Sequence, residues 1–546
     1  MKTRILTTYA ILSILLMVTI FTGLSCKKLK DVTDGAKLIV DFNIIETSID
    51  VKLYDAKTGQ LIGFDDDKSV TITITGSDKN GVLDATGLQP ANNQYLSQKG
   101  ILGLALNPNS EYTPSSMRTV SFNIVARLEG YLTTSQHVSL SATGKNFVRI
   151  NMVALDNPPD GVTVLNESGL GNVFNGQLEE SVVVTTPGNM AELTIPAGIT
   201  MKDADGIALS GPLDILLVHF DNTVDEAMSA FPGGLMTNVN LMDGSTADGM
   251  FFSAGFVAIE IRDGSGRQAK TFENGTLGLI SVVGDNTFNP EAQRNVAAGD
   301  VIPLWSYDEE TGMWTEEDEL IIESNEGSFQ ISAQLSHLSY FNFDWFWTEY
   351  CTYGPEFNFI VNGDVCDCFP LEGVMRRQSD NAVISWLYFW ICQDEPVQTF
   401  FAPANIPVYI EWFDENNPTI TVNAEYQPTM IDNLCQGTPI TIYLTAVPYG
   451  TIVTAEVEAY CASDPNFIIR PNFSVYFHKA GDLNLRYAEM VNGYAEICGV
   501  EVGATYYIFC YYDGTYYYEP FTVTQTSYEY INFELPAEVC SEVFGY

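Results

Sequence analysis

The fold is decided by one stretch of the chain, Gly299-Asp300-Val301-Ile302-Pro303-Leu304-Trp305-Ser306-Tyr307-Asp308-Glu309-Glu310-Thr311-Gly312-Met313-Trp314. Its turn residues, Glu310-Thr311-Gly312, lie between two segments rich in β-forming residues, which predicts a β-hairpin. Trp305, Tyr307 and Trp314 can pair across the two strands, and aromatic cross-strand pairs stabilise sheets. The apolar segment Ser336-His337-Leu338-Ser339-Tyr340-Phe341-Asn342-Phe343-Asp344 follows it and predicts the strand that closes this domain.

Length and charge limit the classes of protein that remain. The chain has 546 residues, too many for one hydrophobic core, and this length predicts about three to four domains. It carries 69 acidic and 25 basic residues, for a formal net charge of -44. Nucleic-acid binding requires a basic surface, so nucleic acid is excluded as a partner. An acidic surface instead keeps a β protein soluble and discourages edge-to-edge association.

The N-terminus has the pattern of an export signal. Lys2 and Arg4 form a basic start, Ile5 to Phe21 an apolar segment, and Gly23-Leu24-Ser25-Cys26 a cleavage site of small residues. No later segment is apolar for long enough to span a membrane. The pattern predicts an exported protein.

The cleavage site resembles the lipobox of bacterial lipoproteins, although Gly23 takes the place of the usual Leu. The resemblance implies that residues 1–25 are a signal peptide and that Cys26 is lipidated at the start of a tether, 26–36. Acyl chains would then hold the protein on a membrane. The alternatives are an ordinary signal peptide and an N-terminal anchor helix. Lys27 does not look like an inner-membrane retention signal, so we expect an outer-membrane lipoprotein that faces the cell surface.

The first domain is predicted at 37–155 from short alternating strands separated by turn residues. Val51-Lys52-Leu53-Tyr54-Asp55-Ala56-Lys57-Thr58-Gly59, Val70-Thr71-Ile72-Thr73-Ile74-Thr75-Gly76 and the segment Ala126 to Tyr131 carry the pattern. These segments resemble the transthyretin-like, carboxypeptidase-regulatory-like modules of bacterial surface lipoproteins. The resemblance implies a β-sandwich.

A linker at Asp156-Asn157-Pro158-Pro159-Asp160-Gly161 precedes the second domain, predicted at 162–346. Ile195-Pro196-Ala197-Gly198, Phe231-Pro232-Gly233-Gly234, the hairpin and His337-Leu338-Ser339 together resemble an extracellular β-sandwich family related to cartilage intermediate layer protein. The resemblance implies an interaction or structural module without assigned chemistry.

The remaining chain is rich in cysteine and is divided into domains at 351–447 and 452–546. The second of these again looks transthyretin-like, and the first is predicted to be β. An exported chain keeps disulfides, so the cysteines predict a framework of bridges. A metal site is the alternative, although only His478 lies nearby and the spacings do not suit zinc. The disulfide candidates are Cys351, Cys366, Cys368, Cys392, Cys435, Cys461, Cys498, Cys510 and Cys540.

One tripeptide, His337-Leu338-Ser339, has a chemical interpretation. It resembles the His-Leu-Ser/Thr cleavage site of the self-cleaving module in adhesion receptors. The resemblance implies that His337 is the base and Ser339 the nucleophile that attacks the Leu338 carbonyl, with water releasing the ester. The alternative is a structural His packed beside Tyr340 and Phe341.

Two further binding hypotheses rest on composition. Asp65-Asp66-Asp67, Asp203 with Asp205, and Glu316-Glu317-Asp318-Glu319 offer oxygen ligands for calcium, although none completes an EF-hand loop. The aromatic strands near the C-terminus offer a stacking face for a glycan, with Tyr506 and Tyr512 as its speculative members. No cofactor is otherwise predicted.

The sequence therefore predicts an all-β chain of tandem Ig-like or transthyretin-like β-sandwiches. Its predicted function is that of a lipid-anchored surface protein that binds an unidentified protein or glycan, and not that of an enzyme. The alternatives are a protein that cleaves itself at Leu338-Ser339 and a glycan-binding accessory lipoprotein. No Gly-x-Ser-x-Gly, Walker, Rossmann or His-Glu-x-x-His motif is present.

Overall fold

A computed structural model describes residues 38–41 and 47–534. Short gaps lie at 65, 67, 85–88, 108–110, 116, 310, 326, 364, 366–367, 393–394, 415–419, 448–450, 463, 471–472, 482–485, 513–514 and 525–527. The described chain is nearly all β-strand, as predicted, and its strands form tandem sandwiches. It divides into two compact units, one of Ile45–Tyr449 with Tyr511–Tyr517 and one of the remaining segments. No helix in the described ranges is long and apolar enough to cross a membrane.

The first sandwich consists of two four-stranded sheets, ordered β4-β6-β2-β9 and β5-β3-β7-β8. Alternate side chains of each sheet meet in one core, which contains Ile49, Val51, Ile72 and Phe122. The strands that follow the N-terminal strand β1 (Leu38–Asp41) are β2 (Thr47–Asp55), β3 (Thr71–Thr75), β4 (Val82–Asp84), β5 (Gln94–Leu96), β6 (Ile101–Leu106), β7 (Val120–Arg127), β8 (Thr134–Leu140) and β9 (Gly144–Met152).

The second sandwich packs an eight-stranded sheet against a five-stranded one. Their orders are β11-β10-β15-β17-β16-β23-β22-β26 and β12-β13-β19-β25-β24, and two short ribbons pair β14 with β18 and β20 with β21. A single short helix, α1 (Asp225–Met228), is described here. The strands are β10 (Val162–Phe174), β11 (Gln177–Leu178), β12 (Val182–Thr185), β13 (Ala191–Ile195), β14 (Thr200–Lys202), β15 (Gly211–Phe220), β16 (Met236–Asn240), β17 (Thr246–Asp263), β18 (Thr271–Glu273), β19 (Leu277–Val283), β20 (Phe288–Asn289), β21 (Arg294–Asn295), β22 (Val301–Asp308), β23 (Met313–Ile321), β24 (Glu323–Asn325), β25 (Ser328–Leu335) and β26 (Tyr340–Trp347).

The third sandwich again has two four-stranded sheets, β30-β27-β34-β32 and β29-β28-β31-β33. Disulfides join Cys351 to Cys435 and Cys368 to Cys392, which fits the predicted framework of bridges. The strands are β27 (Tyr350–Asn362), β28 (Phe369–Arg377), β29 (Val383–Ile391), β30 (Val397–Pro403), β31 (Val408–Phe413), β32 (Ile420–Val422), β33 (Thr429–Ile431) and β34 (Ile440–Ala446).

The C-terminal sandwich contains a strand from the opposite end of the chain. β1 pairs in parallel with β36, with Leu38 opposite Phe467 and Asp41 opposite Arg470, although the sequence placed β1 in the first domain. The sheets are β1-β36-β35-β39, with β42 beside β35, and β38-β37-β40-β41. The strands are β35 (Thr451–Cys461), β36 (Asp464–Arg470), β37 (Phe473–Lys479), β38 (Arg486–Met490), β39 (Tyr494–Val500), β40 (Thr505–Tyr512), β41 (Thr515–Thr522) and β42 (Tyr528–Glu534). In the described ranges, short 3-10 turns lie at Lys79–Gly81, Ala91–Asn93, Pro187–Asn189 and Ala424–Tyr426.

Candidate functional site

The predicted hairpin forms from β22 and β23, and its tip joins the first sandwich to the second. Tyr307 lies opposite Trp314 in the antiparallel register, and their rings are 4.9 Å apart. At the tip, the Glu309 carbonyl accepts hydrogen bonds from the side chains of Thr75 (3.2 Å) and Asn123. The buried Tyr307 hydroxyl accepts a hydrogen bond from Ser135 (3.0 Å) and donates one to Asn123 (3.3 Å).

The hairpin tip fits closely because Gly312 has no side chain. Its φ of +73° is in the left-handed region, and a Cβ there would lie 2.9 Å from His137 Nδ1 and 3.1 Å from the Asn123 amide. His137 Nδ1 is buried without a hydrogen-bond partner among the described residues, and burial lowers the pKa of His137. A neutral imidazole therefore packs against the glycine.

We expect Gly312→Ala to lower the free energy of unfolding by about 2–3 kcal/mol, because the left-handed backbone costs about 1–2 kcal/mol with a side chain and the contact with His137 adds to it. Gly206→Ala is the matched control: Gly206 has a φ of +77° and open space where its Cβ would lie. Thermal unfolding of both variants measures the difference. Equal losses in the two variants would show that the tip has room for a side chain.

A cleft of about 550 Å³ lies beside this junction, between the end of β7, the strands β17 and β22, and the segment His337–Tyr340. We call it the joint cleft. Thr133, Gln268 and Thr271 add hydroxyl and amide groups to its wall. Its volume is in the range of small-molecule sites. Its acidic, basic and histidine lining residues are Arg127, Glu260, Arg262, Lys270, Asp308, Glu309 and His337.

Charges of both signs face each other in the joint cleft. Arg262 pairs with Glu260 at 2.8 Å, and Arg127 approaches Glu309 at 3.7 Å. Burial raises the pKa of the Glu309 carboxyl, and the positive charges of Lys270 and Arg127 oppose that increase. The Glu309 carboxyl is therefore held near two cations in a poorly solvated position.

His337 and Ser339 both line the joint cleft, but they have different hydrogen-bond partners. The Ser339 hydroxyl donates to the Tyr307 carbonyl and accepts a hydrogen bond from the Tyr307 N–H (3.1 Å). The His337 ring lies against Phe341 at 5.5 Å, with Nε2 3.8 Å from a Glu317 carboxylate oxygen and Nδ1 3.4 Å from the Ser336 hydroxyl. This arrangement favours the structural interpretation of the tripeptide.

We therefore expect a single full-length band on a denaturing, reducing gel, both for the purified mature protein and for Ser339→Ala. A hydroxyl whose proton is bound by the Tyr307 carbonyl is not positioned to transfer it to His337. Two fragments that become one band in Ser339→Ala would contradict this expectation and make His337 the base.

The other predicted sites lie elsewhere or outside the described residues. Tyr506 is 0% exposed and packs near Phe477 and Phe521, so it belongs to the C-terminal core and offers no stacking face. Strand alternation does not tell which face of β40 is core, which is why the sequence pattern assigns Tyr506 to a stacking face. No metal-holding group of three or more His, Cys, Asp or Glu side chains occurs in the described part of the chain.

Cys461 and Cys498 are disulfide-bonded. The side chains of Tyr512 and Cys510, and all of Cys26, Cys366 and Cys540, lie outside what the structure describes.

No motif in the sequence points to Lys270, Arg127 or Glu309. Arg127 and Lys270 belong to different sandwiches, and no spacing rule connects them. The only signal for Arg127 and Lys270 is that basic residues are uncommon in this strongly acidic chain.

A buried carboxyl in the second sandwich is a further feature that the sequence did not reveal. Asp344 is 0% exposed, accepts a hydrogen bond from the Ala254 N–H (3.1 Å), and lies 2.6 Å from the Asn342 amide nitrogen. Burial raises the pKa of Asp344 to about 8, against hydrogen bonds that lower it. The side chain is therefore protonated at neutral pH.

No family model and no curated protein matches the chain. Among solved structures, it is similar to the TIE protein of Bacillus anthracis, at 10% identity and a TM-score of 0.14, over 68% of this chain and 57% of that one. It is also similar to the RrgB pilus protein of Streptococcus pneumoniae, at 8% identity and a TM-score of 0.13, over 92% of this chain and 99% of that one. A pilus-presented adhesin, Cpa, matches at 9% identity and a TM-score of 0.14, over 73% and 98%. At such identities and TM-scores these likenesses carry no argument about fold or function, and the chain spans only 57% of the TIE protein.

Proposed function

We propose that the protein is a lipid-anchored surface protein of the outer membrane, in which a braced unit of three sandwiches holds a binding surface for a protein or glycan. The observation that carries the proposed rigid binding unit is the bracing between the three sandwiches of residues 45–449. The hairpin tip, with its contacts to Thr75, Asn123 and Ser135, fixes the first sandwich to the second.

Ion pairs and rings brace the other two junctions. Arg149 of the first sandwich pairs with Glu372 of the third at 2.9 Å, and the Phe147 and Trp390 rings are 5.1 Å apart. Arg376 of the third sandwich pairs with Asp225 of the second, and the Arg377 guanidinium lies 4.2 Å from the centre of the Phe252 ring. Half-buried pairs with aromatic packing resist hinge motion better than exposed ones.

The disulfides and the N-terminal pattern support an exported location. Cys351–Cys435 and Cys368–Cys392 are bonds that persist in oxidising compartments. The lipobox-like segment ending at Cys26 supplies the proposed anchor.

The test is metabolic labelling of the source bacterium with an alkyne fatty acid, followed by protease treatment of intact cells. The proposal expects label on the unaltered protein, none on Cys26→Ala, and digestion of the unaltered protein from outside. Label without digestion would place the protein on an inner leaflet, and absence of label would remove the anchor from the proposal. Ser25→Ala, which keeps a small residue before Cys26, is the matched control and should still be labelled.

A further inference from the structure

The joint cleft holds basic residues in a chain that has few of them, together with three acidic residues, Glu260, Asp308 and Glu309. The whole chain has 25 Lys and Arg residues against 69 acidic ones, and three of the 25 line this one cleft. Arg262 is neutralised by Glu260 at 2.8 Å. Arg127, whose side chain is about half exposed, reaches Glu309 only at 3.7 Å. Lys270 is the third cation.

Lys270 is held in place by its backbone. Its N–H donates to the Lys202 carbonyl at 2.7 Å, and its carbonyl accepts the Leu338 N–H at 3.3 Å. Its side chain lines the cleft. Within the described ranges, no carboxylate lies at ion-pair distance from its ammonium. A half-buried ammonium without a close anion is costly unless water or a ligand solvates it.

The position of Glu309 indicates where such a ligand could bind. Its carboxyl interacts electrostatically with both Lys270 and Arg127, yet only Arg127 comes within 4 Å and that contact is long. Arg127 and Lys270 therefore both line the cleft near Glu309, and the Glu309 carboxylate forms no close ion pair with either of them. A carboxylate with charge-assisted hydrogen bonds to both would bind more strongly than the present 3.7 Å contact.

We propose that the joint cleft binds an acidic saccharide, whose carboxylate lies between the Lys270 ammonium and the Arg127 guanidinium. Thr133, Gln268 and Thr271 provide the hydroxyl and amide groups that match sugar hydroxyls. At physiological ionic strength the charges beyond about 8 Å are largely screened, so the carboxylates that oppose the ligand are those of the cleft itself, and Glu309 is the one beside both cations. The inference rests on the proposed binding function and names the class of ligand for it.

The experiment uses the purified mature protein and isothermal titration calorimetry at physiological ionic strength. Methyl β-D-glucuronide and N-acetylneuraminic acid are the acidic probes, and methyl β-D-glucoside is the neutral counterpart of the first. The expected result is binding of at least one acidic probe and at least tenfold weaker binding of the glucoside. Triglycine serves as a carboxylate that is not a sugar. Preference for triglycine over both acidic sugars, or no binding of either sugar, would overturn the proposal.

Two substitutions should act in opposite directions. Lys270→Gln removes the unpaired cation and should weaken binding of the acidic probe about tenfold or more, since hydrogen bonds to charged groups are the strong ones. Glu309→Gln removes a competing carboxylate and should strengthen binding several-fold. If the substitutions merely disturbed the structure, both variants would bind more weakly, and weaker binding in both would overturn the proposal. An unchanged affinity in Lys270→Gln would also overturn it.

Matched variants complete the test. Lys270→Arg keeps the charge and should retain most of the affinity, whereas Lys79→Gln removes an equal charge from a turn outside the cleft and should change nothing. The assay needs neither lipid nor cells. A failure of saccharide binding with intact surface labelling would therefore reject this inference alone, and a failure of labelling with intact saccharide binding would reject only the proposed location.

Discussion

Replacing Asp344 by Asn should stabilise the protein increasingly as the pH rises. The carboxyl is fully buried, and burial raises its pKa from the ordinary value of 3.8 to about 8. Between these two values the folded protein keeps a proton that the unfolded chain loses. The stabilising contribution of Asp344 is therefore complete below pH 3.8 and is lost as the pH rises to about 8.

The difference in unfolding free energy between Asp344→Asn and the unaltered protein should grow by about 5 kcal/mol from pH 4 to pH 9. Between the two pKa values, each pH unit lowers the stability of the unaltered protein by about 1.4 kcal/mol. Asn fits the site once the Asn342 amide turns over, because the Asn342 nitrogen now faces the carboxyl and the Asn342 Oδ1, buried without a hydrogen-bond partner among the described residues, would then accept from the new amide. Chemical denaturation at several pH values measures the difference.

Asp285, which is exposed, provides the control. Asp285→Asn should follow the unaltered protein at every pH. If Asp344→Asn shows the same pH dependence as the unaltered protein, the carboxyl is not neutral in the folded state and the assignment of its buried proton is wrong.

Replacing Asp263 by Ala should destabilise the protein at neutral pH by about 3 kcal/mol, the lower part of the range for breaking a buried ion pair, because Arg267 stays partly solvated. One Asp263 oxygen accepts from the Ser265 N–H (2.9 Å) and hydroxyl (2.6 Å), and the other accepts from the Ser210 N–H (3.2 Å) and from Arg267 (2.7 and 3.0 Å). Burial alone would raise the pKa of Asp263, but these hydrogen bonds lower it to about 2.

The sign of its pH dependence is opposite to that of Asp344. The contribution of Asp263 is present above pH 3.8 and is lost as the pH falls towards 2, so the gap between variant and unaltered protein should close on acidification. Asp203→Ala is the matched control, because Asp203 binds the N–H groups of Asp205 and Ile207 in a similar turn without an arginine. A loss of only about 1 kcal/mol is expected there. Equal losses at both positions would show that the arginine adds nothing.

The sequence predicted the fold class and the central hairpin because these depend on local patterns. It also predicted disulfides, two of which are described, but not which cysteines pair. Strand alternation and turn residues are readable over a few positions, as the Tyr307–Trp314 pair shows. It could not predict which face of an aromatic strand is buried, as Tyr506 shows, or that Asp344 is buried and neutral.

The joint cleft could not be predicted for a different reason. Arg127 and Lys270 become neighbours of the same carboxyl only because the hairpin tip packs on the first sandwich, and that packing depends on the absence of a side chain at Gly312. The tripeptide at His337 attracted attention through resemblance, whereas the hydrogen bonds of Ser339 depend on the distant strand β22.

The pairing of β1 with β36 has a consequence for the order of folding. Leu38 and Phe467 are 429 positions apart (467 minus 38), so this is a contact of very high sequence separation. β1 is synthesised first but acquires its partner only after almost the whole chain has emerged, and such contacts form slowly because a long loop must close. Until then the edge of β36 is open to other strands, so the chain is exposed to edge-to-edge aggregation until the C-terminal sheet is complete.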